Sequence, residues 1–266
     1  MIAAALPEAP MPADAWSPDL YARFGAERAQ PFRDLLALVR PRPGMRVVDL
    51  GCGTGELTAE AHRLLGARET LGVDSSPAML ERARPLSGGG LSFAPGDLAD
   101  FAGEGLDLVL SNAALHWVPG HEALLDRLTR ALAPEGQLAV QVPANHDHPS
   151  HRLAQEIARE PPFAGALSGY ARGKPVLEPE EYARLLFRLG YREQQVQLRV
   201  YGHPLREPAE VVEWVRGTLL TDYQKRLPAE LWERYLAAYR QRLLRALPDE
   251  RPYFYAYRRI LFWGRR

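Results

Sequence analysis

Between residues 45 and 142 short apolar runs alternate with longer stretches in which apolar residues return every third or fourth position. The runs at 45–50, 70–74, 91–94, 106–112 and 137–142 read as buried strands. The stretches between them read as amphipathic helices. Their inner faces are Leu57, Ala61, Leu64 and Leu65; Met79, Leu80, Ala83 and Leu86; and Leu124, Leu125, Leu128 and Leu132. Strands and helices that alternate at this spacing predict an α/β fold of parallel βαβ units with right-handed crossovers.

The flanks are less regular. Ser17 and Pro18 open a helix that carries Tyr21 and Phe24, and a second helical stretch from Pro31 buries Phe32, Leu35, Leu36 and Val39. Residues 133–136 read as a turn and 161–175 as a Gly/Pro-rich loop. A helix over 178–189 precedes a sixth strand over 195–201, where Val196, Leu198 and Val200 alternate with polar residues. Two helical segments, 209–218 and 231–247, come before a Tyr/Phe-rich last strand at 253–264. An insertion placed there sits over the ligand end of the sheet as a lid. The expected organisation is therefore an N-terminal helical segment (1–40) covering a ligand site, a core (41–203 and 251–266) and a helical insertion (204–250).

The first strand ends in Val47-Val48-Asp49-Leu50-Gly51-Cys52-Gly53-Thr54-Gly55, and a helix begins near Glu56. A strand that runs through a glycine turn into a helix N-terminus presents free backbone N–H groups to a polar ligand. Glycines let the turn take positive φ and let that ligand approach closely. Glu56 stands where the dinucleotide fingerprint requires a third-spaced glycine, which disfavours a pyrophosphate and a nicotinamide-dependent oxidoreductase. The second strand ends in Asp74, the position that faces ribose hydroxyls in a doubly wound sheet. A nucleoside without phosphates fits this pair of features, and S-adenosylmethionine (AdoMet) is the candidate.

The other strand ends at the same edge supply further candidates. Asp97 closes the third strand, either as an acceptor for an adenine amino group or as a plain Asx turn. The loop after the fourth strand brings Asn112, His116 and Trp117, with His116 either at the site or packed as a neutral imidazole. Arg28, on a helix before the first strand, is placed either to pair with a ligand carboxylate or to sit in solvent. His146, His148 and His151 have a spacing that invites a metal, but no further ligand set accompanies them, so no metal is expected and a solvated loop is the reading.

Composition narrows the picture without changing it. Formal net charge is zero and no basic run is long enough to track a phosphate backbone, so nucleic acid is not an expected partner. No apolar run approaches ~20 residues, so no membrane span is expected. Residues 1–6 are apolar but lack a basic flank, and a secretory signal is not expected. Cys52 is the sole cysteine, which suits a cytoplasmic protein and, in a tight turn, a packing role.

Several segments resemble the class I AdoMet-dependent methyltransferases, and more narrowly the trans-aconitate 2-methyltransferase family. They are W-x-P-x-L-Y-x-x-F-x-x-E-R-x-x-P from Trp16 to Pro31, V-V-D-L-G-C-G-T-G, V-D-S-S-P-A-M-L from Val73 to Leu80, S-N-A-A-L-H-W-V-P from Ser111 to Pro119, A-V-Q-V-P from Ala139 to Pro143 and W-V-x-G-T from Trp214 to Thr218. The resemblance implies a Rossmann-like sheet of seven strands with the last antiparallel, AdoMet as donor with S-adenosylhomocysteine as product, and a small carboxylic acid as acceptor. It assigns the cofactor to Arg28, Asp49, Gly51, Cys52, Gly53, Gly55, Asp74, Ser75, Met79, Asp97, Leu98 and Asn112. Within that set Asp74 holds the ribose, Asp97 and Leu98 the adenine, Asn112 the methionyl side and Arg28 the carboxylate. His116 and Trp117 are the expected acceptor wall and positioning residues, with Tyr21 and Arg216 as acceptor ligands.

One departure stands out. After W-V-x-G-T the family often has an arginine and a proline, where this chain has Thr221 and Asp222. An acceptor carboxylate then needs another arginine, such as Arg216 or Arg226. A carboxylate acceptor is already ionised at neutral pH and needs no general base; a hydroxyl or amine acceptor would need one, such as His116. A non-catalytic AdoMet-binding protein would keep the same glycine cradle. Replacing Asp74 with Ala is expected to weaken cofactor binding with little loss of fold stability. The expected partner is a small-molecule acceptor, and the expected state a monomer.

Overall fold

The computed structural model describes residues 25–174 and 176–266; the expected helix opened by Ser17, and Tyr21 on it, lie outside the described residues, as does the side chain of Arg28. Seven strands form one sheet in the order β3-β2-β1-β4-β5-β7-β6. They are β1 (Arg46–Leu50), β2 (Glu69–Asp74), β3 (Leu91–Pro95), β4 (Leu106–Asn112), β5 (Leu132–Pro143), β6 (Glu193–Leu205) and β7 (Tyr253–Arg265). Strands β1 to β5 pair in parallel, whereas β7 runs antiparallel to both β5 and β6. The chain order reverses between β1 and β4, which opens a crevice beyond their C-terminal ends.

Helices cover both faces: α1 (Gly25–Leu36), α2 (Glu56–Leu65), α3 (Pro77–Ala83), α4 (His121–Ala131), α5 (Pro149–Ala158), α6 (Phe163–Ala166) and α7 (Pro179–Arg188). The insertion adds α8 (Glu210–Arg216), α9 (Thr221–Arg226) and α10 (Ala229–Ala246). Phe32, Leu35, Leu36 and Val39 are buried as the periodicity predicts, although Pro31 lies inside α1 rather than opening a new helix. On α2 the buried face is Thr58, Ala61 and Leu65, and Leu64 is 52% exposed, so this face is narrower than its leucines suggested. Leu86, at 38% exposure, falls outside α3 in a short 3-10 turn and leaves the inner face to Met79, Leu80 and Ala83. Ser76 caps α3 by accepting from the Met79 N–H at 3.2 Å.

Three further differences have local causes. Leu132 begins β5 instead of ending α4, and the predicted turn at 133–136 is a bulge within that strand. There Leu106 pairs Leu132 but Leu108 pairs Gln137, with Glu135 at φ 63°. Strand β6 runs on to Leu205 because β7 pairs with it along its whole length. The 161–175 loop carries the one-turn helix α6, whose Phe163 is buried.

The insertion has an aromatic core of its own. Val211, Trp214, Tyr223, Trp232, Tyr235 and Tyr239 pack with α5 and with Tyr255 and Tyr257 of β7. Tyr235 donates to the Ala154 carbonyl at 2.7 Å and Tyr239 to that of Ser150 at 2.8 Å, so the buried hydroxyls are satisfied. Among the described residues no helix is long and apolar enough to cross a membrane.

Candidate active site

Two adjoining cavities lie at the C-terminal edge of the sheet, with Asn112, Ala113 and Trp117 lining both. The first is built on the glycine turn. The Gly51 and Cys52 N–H groups donate to the Val73 carbonyl at 2.8 and 3.1 Å, which ties the turn to the end of β2. Gly51 sits at φ 79°, and a Cβ there would stand 2.2 Å from that of Ala114. Only glycine closes this turn against the loop after β4.

Asp74 joins the turn to α3. Its Oδ2 accepts from the Gly53 N–H at 2.8 Å and its Oδ1 from the Ser76 N–H at 2.9 Å. The carboxylate therefore braces the backbone as well as lining the cavity, so its removal costs stability, contrary to the expectation of little loss. Gly51, Gly53, Asp74, Ser75, Met79, Asp97, Leu98 and Asn112 all line this cavity, and the insertion adds Thr221, Asp222 and Lys225. The Asx-turn reading of Asp97 holds, since its Oδ1 accepts from the Ala99 N–H at 2.8 Å, and the residue stands at the cavity wall.

Asp49, Cys52 and Gly55 are not lining residues; they support the cradle from beneath. Asp49 is buried, and Thr58 Oγ1 donates to its Oδ2 at 2.5 Å, leaving Oδ1 buried with no hydrogen-bond partner among the described residues. Burial pushes this carboxyl up to about 7. Cys52 is a buried free thiol whose pKa burial raises strongly, which leaves it a packing group. Gly55 makes room for Phe93, whose ring would lie 2.8 Å from an added Cβ.

The second cavity is walled by His116 and Trp117 from the short 3-10 turn after β4, His146 and His151 from the start of α5, Trp214 and Leu219 from the insertion, and Arg172 and Arg259. Both arginines are buried, with the Arg172 side chain 10% and Arg259 5% exposed. Arg172 lies over the Trp117 ring, donates to the His116 carbonyl at 3.2 Å and pairs with Asp222 at 3.4 Å. Arg259 lies over the Tyr257 ring and donates to Gln141 Oε1 at 3.3 Å.

Burial dominates the histidines. Burial holds His116 well below the usual imidazole range, with Arg172 adding to the effect. Burial likewise pushes His151 down to about 3 and lowers His146. The cavity is thus a neutral, aromatic and imidazole-lined box with two fixed cations. His148, which caps α5, and His151, within it, pack against Tyr255 and Tyr257 of β7 instead of lying in a solvated loop, and His146 is largely buried in the turn before the helix. No metal-holding group of His, Cys, Asp or Glu occurs among the described residues.

Arg216 lines neither cavity and stands half-buried at the end of α8. The arginines that line the second cavity are Arg172 and Arg259, neither of which the sequence pattern singles out for a site. A signal for Arg259 was present: it continues the two-residue period of Tyr253, Tyr255 and Tyr257, all buried. Arg172, in a Gly/Pro-rich segment, has no such signal.

The chain matches the family model of a methyltransferase domain over residues 21–195. It is 44% identical over 257 residues to the trans-aconitate 2-methyltransferase of Deinococcus radiodurans, which covers 94% of this chain and 98% of the relative. The chain belongs to the trans-aconitate 2-methyltransferase family. The Streptomyces avermitilis member of the family is 40% identical over 262 residues, 94% of this chain and 97% of the relative. Among solved structures, a methyltransferase of Bacillus halodurans superposes with a TM-score of 0.58 at 15% identity, covering 88% of this chain and 97% of that one. The YcgJ protein of Bacillus subtilis does so with a TM-score of 0.56 at 16% identity, covering 89% and 98%. These two likenesses concern the fold, which is the Rossmann-like class I methyltransferase sheet. Membership of the family makes the chain a methyltransferase with a small-molecule acceptor.

Proposed function

We propose that this member of the trans-aconitate 2-methyltransferase family methylates a carboxylate of a small polycarboxylic acid, trans-aconitate or a close relative. The methyl donor is AdoMet. The observation that carries the acceptor class is the pair of buried arginines, Arg172 and Arg259, in a cavity that shares Asn112 and Trp117 with the glycine cradle. Two buried guanidinium groups on the wall of one cavity, among neutral imidazoles, favour an anionic ligand in it.

The cradle suits AdoMet on two structural grounds. The turn closes only with glycine at position 51, and Asn112 Oδ1 is a buried acceptor with no hydrogen-bond partner among the described residues. In this reading Asp74 holds the ribose, Asp97 and Leu98 the adenine, and Asn112 the methionyl amine, with Arg28 on its carboxylate and Tyr21 at the acceptor. When bound, AdoMet supplies an electrophilic methyl group on a sulfonium. Arg172 and Arg259 hold acceptor carboxylates and orient one oxygen towards the shared wall, while His116 and Trp117 shape that wall. Positioning of this kind supplies ~7–11 kcal/mol of barrier reduction. No base is needed for an ionised acid, and His116, held neutral far below its usual range, would be a weak one. The insertion at 204–250 serves as the lid on the acceptor side, over a core of 41–203 and 251–266, with 1–40 covering the donor. The protein acts as a cytoplasmic monomer, apart from nucleic acid and membranes.

The test is transfer from AdoMet labelled on its methyl group to a panel of di- and tricarboxylic acids. Base-labile labelled product from trans-aconitate or a related acid is expected. Transfer only to hydroxyl or amine acceptors, or none from any acid, would overturn this reading.

A further inference from the structure

Three of the described residues that line the donor cavity carry carboxylates: Asp74, Asp97 and Asp222. Two of them bond to backbone at their own strand ends. Asp74 accepts from the Gly53 and Ser76 N–H groups, and Asp97 from that of Ala99. Asp222 reaches the other way. Its Oδ2 accepts from the Tyr170 hydroxyl at 2.9 Å and from Arg172 Nη1 at 3.4 Å, and Arg172 lines the acceptor cavity. No carboxylate stands among the described residues of that second lining.

The Asp222–Arg172 pair lies where the two cavities meet. The Arg172 guanidinium rests on the ring of Trp117, which belongs to both linings, and its Nη2 donates to the His116 carbonyl beside it. Tyr223, next to Asp222 on α9, accepts from the Arg172 N–H at 3.1 Å. Of the two charged groups only Asp222 lines the donor cavity, so a donor ligand meets the carboxylate before it meets the guanidinium.

A methyl group that passes from donor to acid has to start at this junction, so the sulfonium of AdoMet belongs beside a buried guanidinium. Two like charges in a site shut off from bulk water repel each other with little screening. Asp222 answers the guanidinium, and the donor faces a balanced pair instead of a bare cation. The need for that balance ends with the reaction. The acid's oxygen takes the methyl group and the electron pair of the broken C–S bond stays on sulfur, so S-adenosylhomocysteine carries one positive charge fewer than AdoMet.

We propose that Asp222 is a specificity-determining residue of the donor site: by balancing Arg172 it favours the cationic donor over the product, whose sulfur is neutral. The inference rests on the placement of donor and acid in these two cavities.

Calorimetry tests it with two unreactive ligands. One is S-adenosylhomocysteine; the other is sinefungin, in which a carbon bearing an ammonium group replaces the methylated sulfur. Asp222→Asn keeps an oxygen for Tyr170 to donate to and removes the charge. It should weaken sinefungin roughly tenfold relative to S-adenosylhomocysteine. Adding Arg172→Gln to Asp222→Asn takes away the uncompensated cation and should recover most of the lost ratio. A ratio that Asp222→Asn leaves unchanged would overturn the proposal, because a merely structural role for α9 weakens both ligands alike. A ratio that the double variant does not recover at all would overturn it too. Asp74→Asn checks the placement separately and should weaken both ligands. If it weakens neither, the donor does not lie in this cavity and the reading beneath the proposal falls; if it weakens both while Asp222→Asn leaves their ratio alone, only the proposal falls.

Discussion

The Arg172 guanidinium carbon stands 3.7 Å above the centre of the Trp117 ring. The same side chain reaches Asp222 of α9, which lines the donor cavity, while Arg172 itself lines the acceptor cavity. Asp222, one of the two residues that depart from the family pattern, is thus what holds Arg172 in place. Where the pattern often has an arginine in the insertion, this chain brings a guanidinium from a different segment, anchored through the carboxylate next to Thr221.

Removing the other arginine should isolate acceptor binding. For Arg259→Ala, kcat/KM for the acid is expected to fall roughly 30-fold or more, the ~2 kcal/mol or larger effect of deleting one side of a buried charge pair. The affinity for S-adenosylhomocysteine, measured by calorimetry, should stay unchanged, since Arg259 does not line the donor cavity. A parallel loss of both affinities would argue against separate roles for the two cavities.

Asp74→Ala should weaken donor binding and also the fold. The carboxylate accepts from two backbone N–H groups, and losing both costs about 2–3 kcal/mol. Urea unfolding checks the second half of this expectation, and an unchanged midpoint would show that the turn stands without its brace.

Gly51→Ala is expected to be worse than a cavity-lining change of its size suggests. The new methyl group would meet Ala114 in a left-handed backbone, for roughly 2–4 kcal/mol of destabilisation. Gly53→Ala, where nothing lies within 4 Å of the added carbon, should bear only the backbone strain. Similar melting temperatures for the two variants would contradict the contact argument.

Stability should fall in acid, with one group opposing the trend. His148, His151 and His203 have folded values of about 4, 3 and 4, all below the ordinary 6.5. The unfolded chain binds more protons there, so their contribution is complete above pH 6.5 and is lost as pH falls towards 4. Asp49, raised to about 7 from 3.8, acts in the opposite sense: its contribution is present below pH 4 and is lost as pH rises to 7. Three groups outweigh one, and Asp49→Asn should steepen the loss. Urea midpoints at pH 5 and 7.5 for both proteins decide it; a shallower slope in the variant would contradict burial as the cause of the Asp49 shift.

The sheet was legible because local pattern and tertiary role agree there. Val47, Val48 and Leu50 are apolar and buried, and the glycines that follow mark a close turn. Asp74, Asp97 and Asn112 were legible because strand ends in such a sheet converge on one edge. The acceptor side was not, because its cations come from elements that chain order keeps far apart. Arg172 belongs to an irregular segment, and Arg259 sits in a strand inserted between two earlier ones. Arg216 adjoins a family motif in sequence, but helical phase carries it away from the cavity. Nothing in the histidine stretch itself announces that β7 packs against His148 and His151.

The position of β7 also ties the far edge of the sheet to the cavity. Among the described residues β6 pairs in the sheet with β7, and β7 pairs in turn with β5. Arg259 stands on that middle strand, opposite Pro143 on one side and Arg199 on the other. A slip in either seam would move its guanidinium, so the edge strand acts as a splint for a side chain it does not carry.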